Sequence, residues 1–157
     1  MITYVKGDAT EPLQITPNSN CIIVHCCNNI GAWGAGFVLE LSKKWSLPEK
    51  EYKKNFRKLS LGDVQVVKVS KQICVANLIG QNGIRSKINP KPIDYNAIYK
   101  GLLRINYLIM NNKNKDKITV HMPKIGCGLA GGKWSLIEKI INKAINPSIP
   151  VFVYEKI

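Results

Sequence analysis

A glycine-rich segment between an apolar run and an amphipathic run constrains the fold of this chain more than any other feature. Residues 126–132 contain four glycines in seven positions. The run Ile118 to Met122 before them predicts a β-strand, and the run Trp134 to Ile145 after them has the periodicity of an amphipathic helix. Glycine tolerates left-handed backbone angles and lets the backbone approach a ligand, so this junction predicts an anion site at the start of the following helix. A tight turn that binds nothing explains the same glycines equally well.

A second junction of the same kind lies earlier in the chain. Residues 28–37 contain three glycines, follow the strand-like run Cys21 to His25 and open another helical pattern. Two glycine-rich strand-to-helix junctions in one small domain favour a ligand with two phosphates, or one diphosphate held from both sides. This is the central prediction from the residues alone.

The rest of the chain alternates strands with helices. Further strands are predicted at 2–6, 64–69, 73–79 and 150–154, and further helices at 37–45, at 49–58 and after a capping aspartate at position 94. Residues 12–20 and 80–91 are predicted to be loops. A chain of 157 residues fits one domain, here residues 1–157. The sequence therefore predicts an α/β fold with three α-β-α layers and a mixed, largely parallel central sheet.

Composition narrows the function only slightly. A net charge of +13 attracts polyanions in general, so a nucleic-acid partner is possible, although lysine-rich composition explains the charge as well and we do not favour that partner. The five cysteines form no Cys-x-x-Cys pair and predict neither a disulfide framework nor a metal site. No apolar run approaches the roughly 20 residues that span a bilayer, and no signal peptide is recognisable. We therefore expect a cytoplasmic protein with no membrane partner.

Two familiar nucleotide motifs are rejected. The pattern Gly126-x-Gly128-x-x-Gly131 matches the dinucleotide fingerprint, but that motif belongs on the first βα turn of a larger fold. A phosphate loop of the Walker type needs Gly-Lys-Ser or Gly-Lys-Thr, which the chain lacks. Acid–base candidates are few, because His25 and His121 lie in strand-like runs and are expected to be core or rim residues. If the protein is an enzyme, its ligand is expected to supply part of the chemistry.

Taken together, the motifs resemble the macrodomain family. Gly7-Asp8-Ala9-Thr10 resembles its adenine-binding turn, and His25-Cys26-Cys27-Asn28 with Gly34-Ala35-Gly36-Phe37 resembles its first phosphate and distal-ribose loop. The segment 122–129 resembles its second phosphate loop, and 151–154 its final strand. The match follows the family's order over nearly the whole chain. It is most similar to the branch of the terminal ADP-ribose protein glycohydrolase and the yeast-type ADP-ribose 1″-phosphate phosphatase.

The resemblance implies that the partner is ADP-ribose or an ADP-ribosylated protein, and that the chain needs no cofactor or metal. Asp8 would accept from the adenine amino group, Tyr154 would line the adenine side, and Asn28 would bond the distal ribose as the candidate catalytic residue. The implied ligand-binding set is Asp8, Ala9, Asn28, Gly34, Ala35, Gly36, Phe37, Ile125, Gly126, Cys127, Gly128, Leu129, Ala130 and Tyr154. A monomer is expected by default.

One departure from the family's pattern bears on mechanism. The glycohydrolase branch is thought to use a lysine and an aspartate at positions that match Gln81 and Ala130 here. Glutamine forms no covalent adduct with a ribose aldehyde and alanine is no base, so the resemblance implies a water positioned against the distal ribose, with Asn28 acting through geometry. Three functions remain open: a hydrolase acting at C1″ of ADP-ribose derivatives, a non-catalytic reader of ADP-ribose, and, less favoured, a nucleic-acid-binding module.

Overall fold

The described part of the chain forms a central sheet of six strands, and the prediction that this sheet is mixed but largely parallel is confirmed. The computed structural model describes residues 2–13 and 18–157. The strands are β1 (Ile2–Lys6), β2 (Asn20–Asn28), β3 (Val64–Lys68), β4 (Ile73–Gln81), β5 (Ile118–Pro123) and β6 (Val151–Glu155). Their order in the sheet is β1-β6-β5-β2-β4-β3, and every neighbouring pair is parallel except β3 with β4.

Helices cover both faces of the sheet, as the three-layer prediction requires. They are α1 (Phe37–Lys44), α2 (Leu47–Asn55), α3 (Tyr95–Met110) and α4 (Trp134–Ala144). Successive residues of a strand point to opposite faces. Accordingly Val24 packs in the cluster that contains the buried residues of α3 and α4, whereas Ile23 packs with those of α1 and α2. No helix in the described part of the chain is long and apolar enough to cross a membrane.

Element boundaries differ from the prediction in a few places. Strands β2 and β4 continue past the apolar runs that marked them, because Asn28 and Gln81 still pair in the ladder after a local shift of register. Residues 56–58, predicted as the end of a helix, form a 3₁₀ turn after α2. The predicted cap is confirmed, since Asp94 accepts a hydrogen bond from the N–H of Ala97 at 2.9 Å. Of the predicted loop 12–20, residues 14–17 lie outside the described part.

The sheet order determines what can meet at its carboxyl edge. The carboxyl ends of β1, β6, β5, β2 and β4 all lie at this edge, because these five strands are mutually parallel. Asp8 follows β1, Lys124 follows β5, and Asn28 and Gln81 end β2 and β4. Four inter-strand spacings separate β1 from β4, which corresponds to about 19 Å at about 4.8 Å per spacing. An elongated ligand can therefore lie across the edge and contact every one of these segments.

Candidate ligand-binding site

A cavity of about 710 Å³ lies at the carboxyl edge of the sheet. This volume falls within the roughly 300–1,000 Å³ typical of small-molecule sites. The structure brings most of the predicted ligand-binding residues together in its lining, namely Asn28, Gly34, Ala35, Gly36, Phe37, Ile125, Gly126, Cys127, Gly128, Leu129 and Ala130. Three predicted residues lie outside this lining: Asp8, Ala9 and Tyr154. Both glycine-rich loops thus border one space, although they are about ninety residues apart in the sequence.

Three glycines of the two loops face open space. A Cβ atom built on Gly34, Gly36 or Gly128 would meet no other heavy atom within 4 Å. Gly128 also has a φ of +67°, which a side chain rarely adopts. By contrast, a Cβ on Gly132 would lie 2.4 Å from the carbonyl oxygen of Gly126. Glycine is therefore required at position 132 for the close packing of the loop against itself. These three glycines line the cavity, and the protein itself does not fill the space beside them.

Backbone N–H groups at two helical starts border the cavity. Gly36 caps α1, and the helix geometry leaves the N–H groups of Phe37 and Val38 without partners inside the helix. In the second loop, residues Gly128–Ala130 form a 3₁₀ turn at the cavity. Such free donors favour negatively charged groups.

The helix that follows the second loop does not line the cavity. The sequence predicted the donors of this loop at the start of α4, but the lining of the cavity ends at Ala130. The N–H of Gly132 turns back to the carbonyl oxygen of Gly126 at 2.8 Å, and the N–H of Lys133 donates to the hydroxyl of Tyr95 at 2.9 Å. No apolar periodicity marks a three-residue 3₁₀ turn, which is why the sequence pattern did not show it.

The side chain of Asn28 holds its own loop in shape. Its Oδ1 accepts from the N–H groups of Ile30 at 3.0 Å and Ala32 at 3.1 Å, and its Nδ2 donates to the carbonyl oxygen of Ala32 at 2.8 Å. One of the two Nδ2 hydrogens is used in this way, which leaves the other for a ligand. The contact between Asn28 and a ribose stays a prediction.

Tyr52 contacts the same loop through its hydroxyl group, a role that the sequence analysis missed. This residue of α2 is fully buried; its hydroxyl lies 2.7 Å from Asn28 Oδ1 and accepts from the N–H of Gly31 at 3.1 Å. Its ring packs against Trp33 at 5.3 Å and Phe56 at 6.2 Å between ring centroids. An isolated tyrosine among lysines in a helical pattern gives no signal of such a role. The loop is therefore anchored by a residue that does not line the cavity.

The turn after β1 lies at the other end of the carboxyl edge. Oδ1 of Asp8 accepts from both the N–H and the hydroxyl of Thr10 at 2.8 Å, which leaves Oδ2 to accept from a ligand. Ala9 and Tyr154 are buried beneath this turn, and the hydroxyl of Tyr154 accepts from the N–H of Leu13 at 2.8 Å. Tyr154 thus supports the turn that carries Asp8, and the adenine contacts predicted for these residues stay predictions.

The charge of the lining is positive. Among the residues that the structure describes, Arg85 and Lys124 are the only charged side chains of the lining, and none of these lining residues is a carboxylate. Lys124 is paired with Glu155, whose Oε1 lies 3.3 Å from Nζ. Gln81 and Ala130 both line the cavity, so the positions that departed from the family's pattern do face the same space. The described residues of the lining therefore favour an anion and offer no carboxylate as a base.

Neither imidazole nor thiol groups supply a ready base or nucleophile. Burial lowers the pKa of His25 to about 4, and its Nε2 is bonded to Asn77 Oδ1. Burial raises the pKa of the Cys26 thiol to about 12 and that of Cys27 well above its ordinary value. Burial also raises the pKa of Cys127, so the thiols at the cavity stay protonated at neutral pH. Any chemistry here depends on positioning more than on a charged protein group.

Acid is expected to destabilise this fold through its two histidines. Burial lowers the pKa of both His25 and His121 from 6.5 to about 4, so the folded state binds fewer protons than the unfolded state between these values. Their stabilising contribution is complete above pH 6.5 and is lost as the pH falls towards 4, by about 2 kcal/mol for each histidine at pH 5. Urea unfolding at pH 7 and pH 5 measures the loss. His121→Gln should remove about half of the loss of stability between pH 7 and pH 5. Equal stability of the wild-type protein at both pH values would contradict the prediction.

Solved structures of similar sequence share this fold along the whole chain. A macrodomain protein from Streptomyces coelicolor is 38% identical, with 99% of each chain covered and a TM-score of 0.82. A protein of unknown function from Bacteroides thetaiotaomicron is 43% identical, covering 100% of this chain and 98% of that one, with a TM-score of 0.89. No protein-family model matches the chain.

Curated proteins of similar sequence fall into two groups by length. The mouse chromodomain-helicase-DNA-binding protein 1-like is 30% identical over 98% of this chain, which spans only 17% of that protein. The ADP-ribose 1″-phosphate phosphatase of Candida albicans is 26% identical over 98% of this chain and 99% of its own length. An ADP-ribose glycohydrolase of Bos taurus is 28% identical over 98% of this chain and 90% of its own length.

Proposed function

The chain belongs to the macrodomain family, and from this premise we propose that it binds ADP-ribose and hydrolyses derivatives of it at C1″ of the distal ribose. The observation that carries the proposal is the pair of glycine-rich loops that face each other across one electropositive cavity. Two similar proteins of matching length are named as a phosphatase and a glycohydrolase of ADP-ribose compounds, which supports the same reaction class.

The ligand would lie along the carboxyl edge of the sheet. Its adenine would meet Asp8 beyond β1, and its diphosphate would lie between Gly34–Phe37 and Gly128–Ala130. Its distal ribose would then reach the ends of β2 and β4, where Asn28 and Gln81 stand opposite each other. The span of about 19 Å from β1 to β4 suits an extended molecule with a base at one end and a sugar at the other.

The reaction would be a displacement by water at C1″. The oxygen of water bonds to C1″, the bond from C1″ to the leaving oxygen breaks, and the leaving group keeps the electron pair. That leaving group is a carboxylate of a modified protein or a phosphate, and it also takes the proton released by water. No lining residue in the described part of the chain is a carboxylate that could remove this proton, so the rate would come from holding ribose and water in line. Asn28 orients the ribose through its remaining Nδ2 hydrogen.

A non-catalytic reader is the second candidate, and Gln81 with Ala130 is the observation that favours it. Both line the cavity where a lysine and an aspartate would be expected from the family's glycohydrolase branch. Calorimetric titration with ADP-ribose, followed by turnover assays, separates the candidates. A hydrolase binds ADP-ribose and releases product from glutamate-ADP-ribosylated protein or from ADP-ribose 1″-phosphate. A reader binds but turns over neither substrate, and absence of binding would reject both.

Asp8→Ala is expected to weaken ADP-ribose binding by about 1–3 kcal/mol, the usual cost of losing a charged hydrogen bond. The physical reason is the loss of Oδ2 as acceptor for the adenine amino group. Calorimetry with ADP-ribose and with its hypoxanthine analogue, which lacks the amino group, isolates this bond. The wild-type protein should prefer ADP-ribose, and Asp8→Ala should abolish most of that preference. An unchanged preference would show that Asp8 does not contact the base.

A further inference from the structure

Arg85 is a charged residue of the cavity that the proposed mechanism leaves unused. Its side chain is exposed and lines the cavity together with Gln81 and Ile84. Among the ion pairs of the described residues none includes Arg85, whereas Lys124, the other cation of the lining, is paired with Glu155. An arginine without a carboxylate partner at the wall of a cavity is available for an anionic group of a ligand.

The fold places Arg85 at one particular end of the cavity. It follows β4, which is four strands away from β1 in the sheet and is the neighbour of β2. The turn before it is tied to the residue next to Asn28, because Asn29 Oδ1 accepts from the N–H of Gly83 at 2.8 Å and Asn29 Nδ2 donates to Asn82 Oδ1 at 3.1 Å. Arg85 therefore lies beside the distal-ribose end and far from the turn that carries Asp8.

The loop that carries Arg85 has defined internal bonds. Asn89 Nδ2 donates to the carbonyl oxygens of Asn82 at 2.9 Å and Ile84 at 3.1 Å, and Ser86 pairs with Asn89 in an isolated bridge. These bonds hold the backbone on both sides of Arg85. When a ligand binds, only the side chain of Arg85 therefore has to become ordered, because the backbone around it is already held.

We propose that Arg85 forms a subsite for an anionic group on C1″, so that the preferred substrate class is the 1″-phosphate of ADP-ribose over neutral carboxylate esters. This subsite rests on the proposed function and extends it by one group beyond the ribose. A phosphate carries its charge before the reaction, and the guanidinium can bind two of its oxygens side by side. An ester gains its charge only as the bond breaks, so Arg85 contributes less to its binding.

In the reaction Arg85 would hold the leaving phosphate. Water adds its oxygen to C1″, the C1″–O bond breaks, and the phosphate leaves with the electron pair and the proton from water. The products are ADP-ribose with a hydroxyl on C1″ and hydrogen phosphate, so atoms and charge balance. Because Arg85 would contact the phosphate in the bound substrate as well as in the transition state, loss of this contact should raise KM more than it lowers kcat.

The test compares Arg85→Gln, Arg85→Lys and the matched control Lys87→Gln on two substrates. Lys87 is an exposed cation of the same loop that does not line the cavity. Initial rates are measured with ADP-ribose 1″-phosphate and with an ester-linked ADP-ribosyl glutamate peptide. We expect Arg85→Gln to lower kcat/KM for the 1″-phosphate, relative to kcat/KM for the ester, by about tenfold or more. Most of this change should be in the KM for the phosphate. Arg85→Lys should restore part of it, and Lys87→Gln should shift the ratio less than twofold.

Two results would overturn the subsite: an Arg85→Gln ratio no lower than that of Lys87→Gln, or equal losses on both substrates. If the wild-type protein turns over neither substrate, the dissociation constants of ADP-ribose 1″-phosphate and ADP-ribose are measured in the same variants. The ratio of these two constants then tests the subsite. Titration of the wild-type protein with ADP-ribose, which has a hydroxyl on C1″, separates the two proposals. No binding of ADP-ribose rejects the proposed function, whereas binding with an unaltered ratio rejects only the subsite.

Discussion

Gly128→Glu is expected to abolish ADP-ribose binding, with a loss of affinity of about a hundredfold or more. A side chain at this position enters open space in the cavity, where the ligand's diphosphate would lie. Two like charges 4 Å apart repel by about 4 kcal/mol at an effective dielectric constant of 20. Calorimetric titration of ADP-ribose measures the loss, and a thermal melt shows that the variant is folded.

Three further variants separate charge from size and from backbone strain. Gly128→Gln places an uncharged side chain of the same shape at the same φ of +67°, and should retain more affinity than Gly128→Glu. Gly34 also faces open space but is not in the left-handed region, so Gly34→Glu adds the charge without strain. Gly34→Gln is its neutral counterpart. Retention of affinity within about threefold in both glutamate variants would show that the diphosphate does not lie between these loops.

Asn28→Ala is expected to lower kcat/KM by about a hundredfold, the usual effect of misplacing a reacting group by about 1 Å. The substitution removes both the hydrogen bonds that shape residues 28–32 and the donor that, in the proposed complex, would face the ribose. Initial-rate measurements on the preferred substrate, alongside ADP-ribose titrations, test it. Asn96→Ala, an exposed substitution on α3, is the matched control and should leave the rates unchanged.

Tyr52→Phe distinguishes the two roles of Asn28. It removes the hydroxyl that contacts Asn28 and Gly31 but leaves the Asn28 side chain and the buried ring in place. If Asn28 acts only through the shape of its loop, Tyr52→Phe should reproduce a large part of the loss in kcat. If Asn28 also binds the ribose, its own replacement should cost at least about tenfold more than Tyr52→Phe. Turnover that survives Asn28→Ala unchanged would refute the account of ribose positioning.

The sequence by itself determined the class of fold and the two loops of the site. Apolar runs and periodicity located the six strands and four helices of the described residues, Asp94 marked a helix start, and the glycine clusters at 28–37 and 126–132 marked the loops. These features are local, because a strand, a helix or a left-handed turn leaves its pattern within a few neighbouring residues. The order of the motifs along the chain was also sufficient to identify the family.

Only the tertiary structure decided which residues meet. Which strands are neighbours, and hence that Asn28 stands beside Gln81, depends on the packing of the whole sheet and leaves no local pattern. The same holds for Tyr52, which reaches Asn28 across 24 residues of sequence, and for Arg85, which a polar loop carries to the cavity. Hydrogen bonds and charges between distant segments depend on three-dimensional distance, and hydrophobic spacing along a chain carries no information about it.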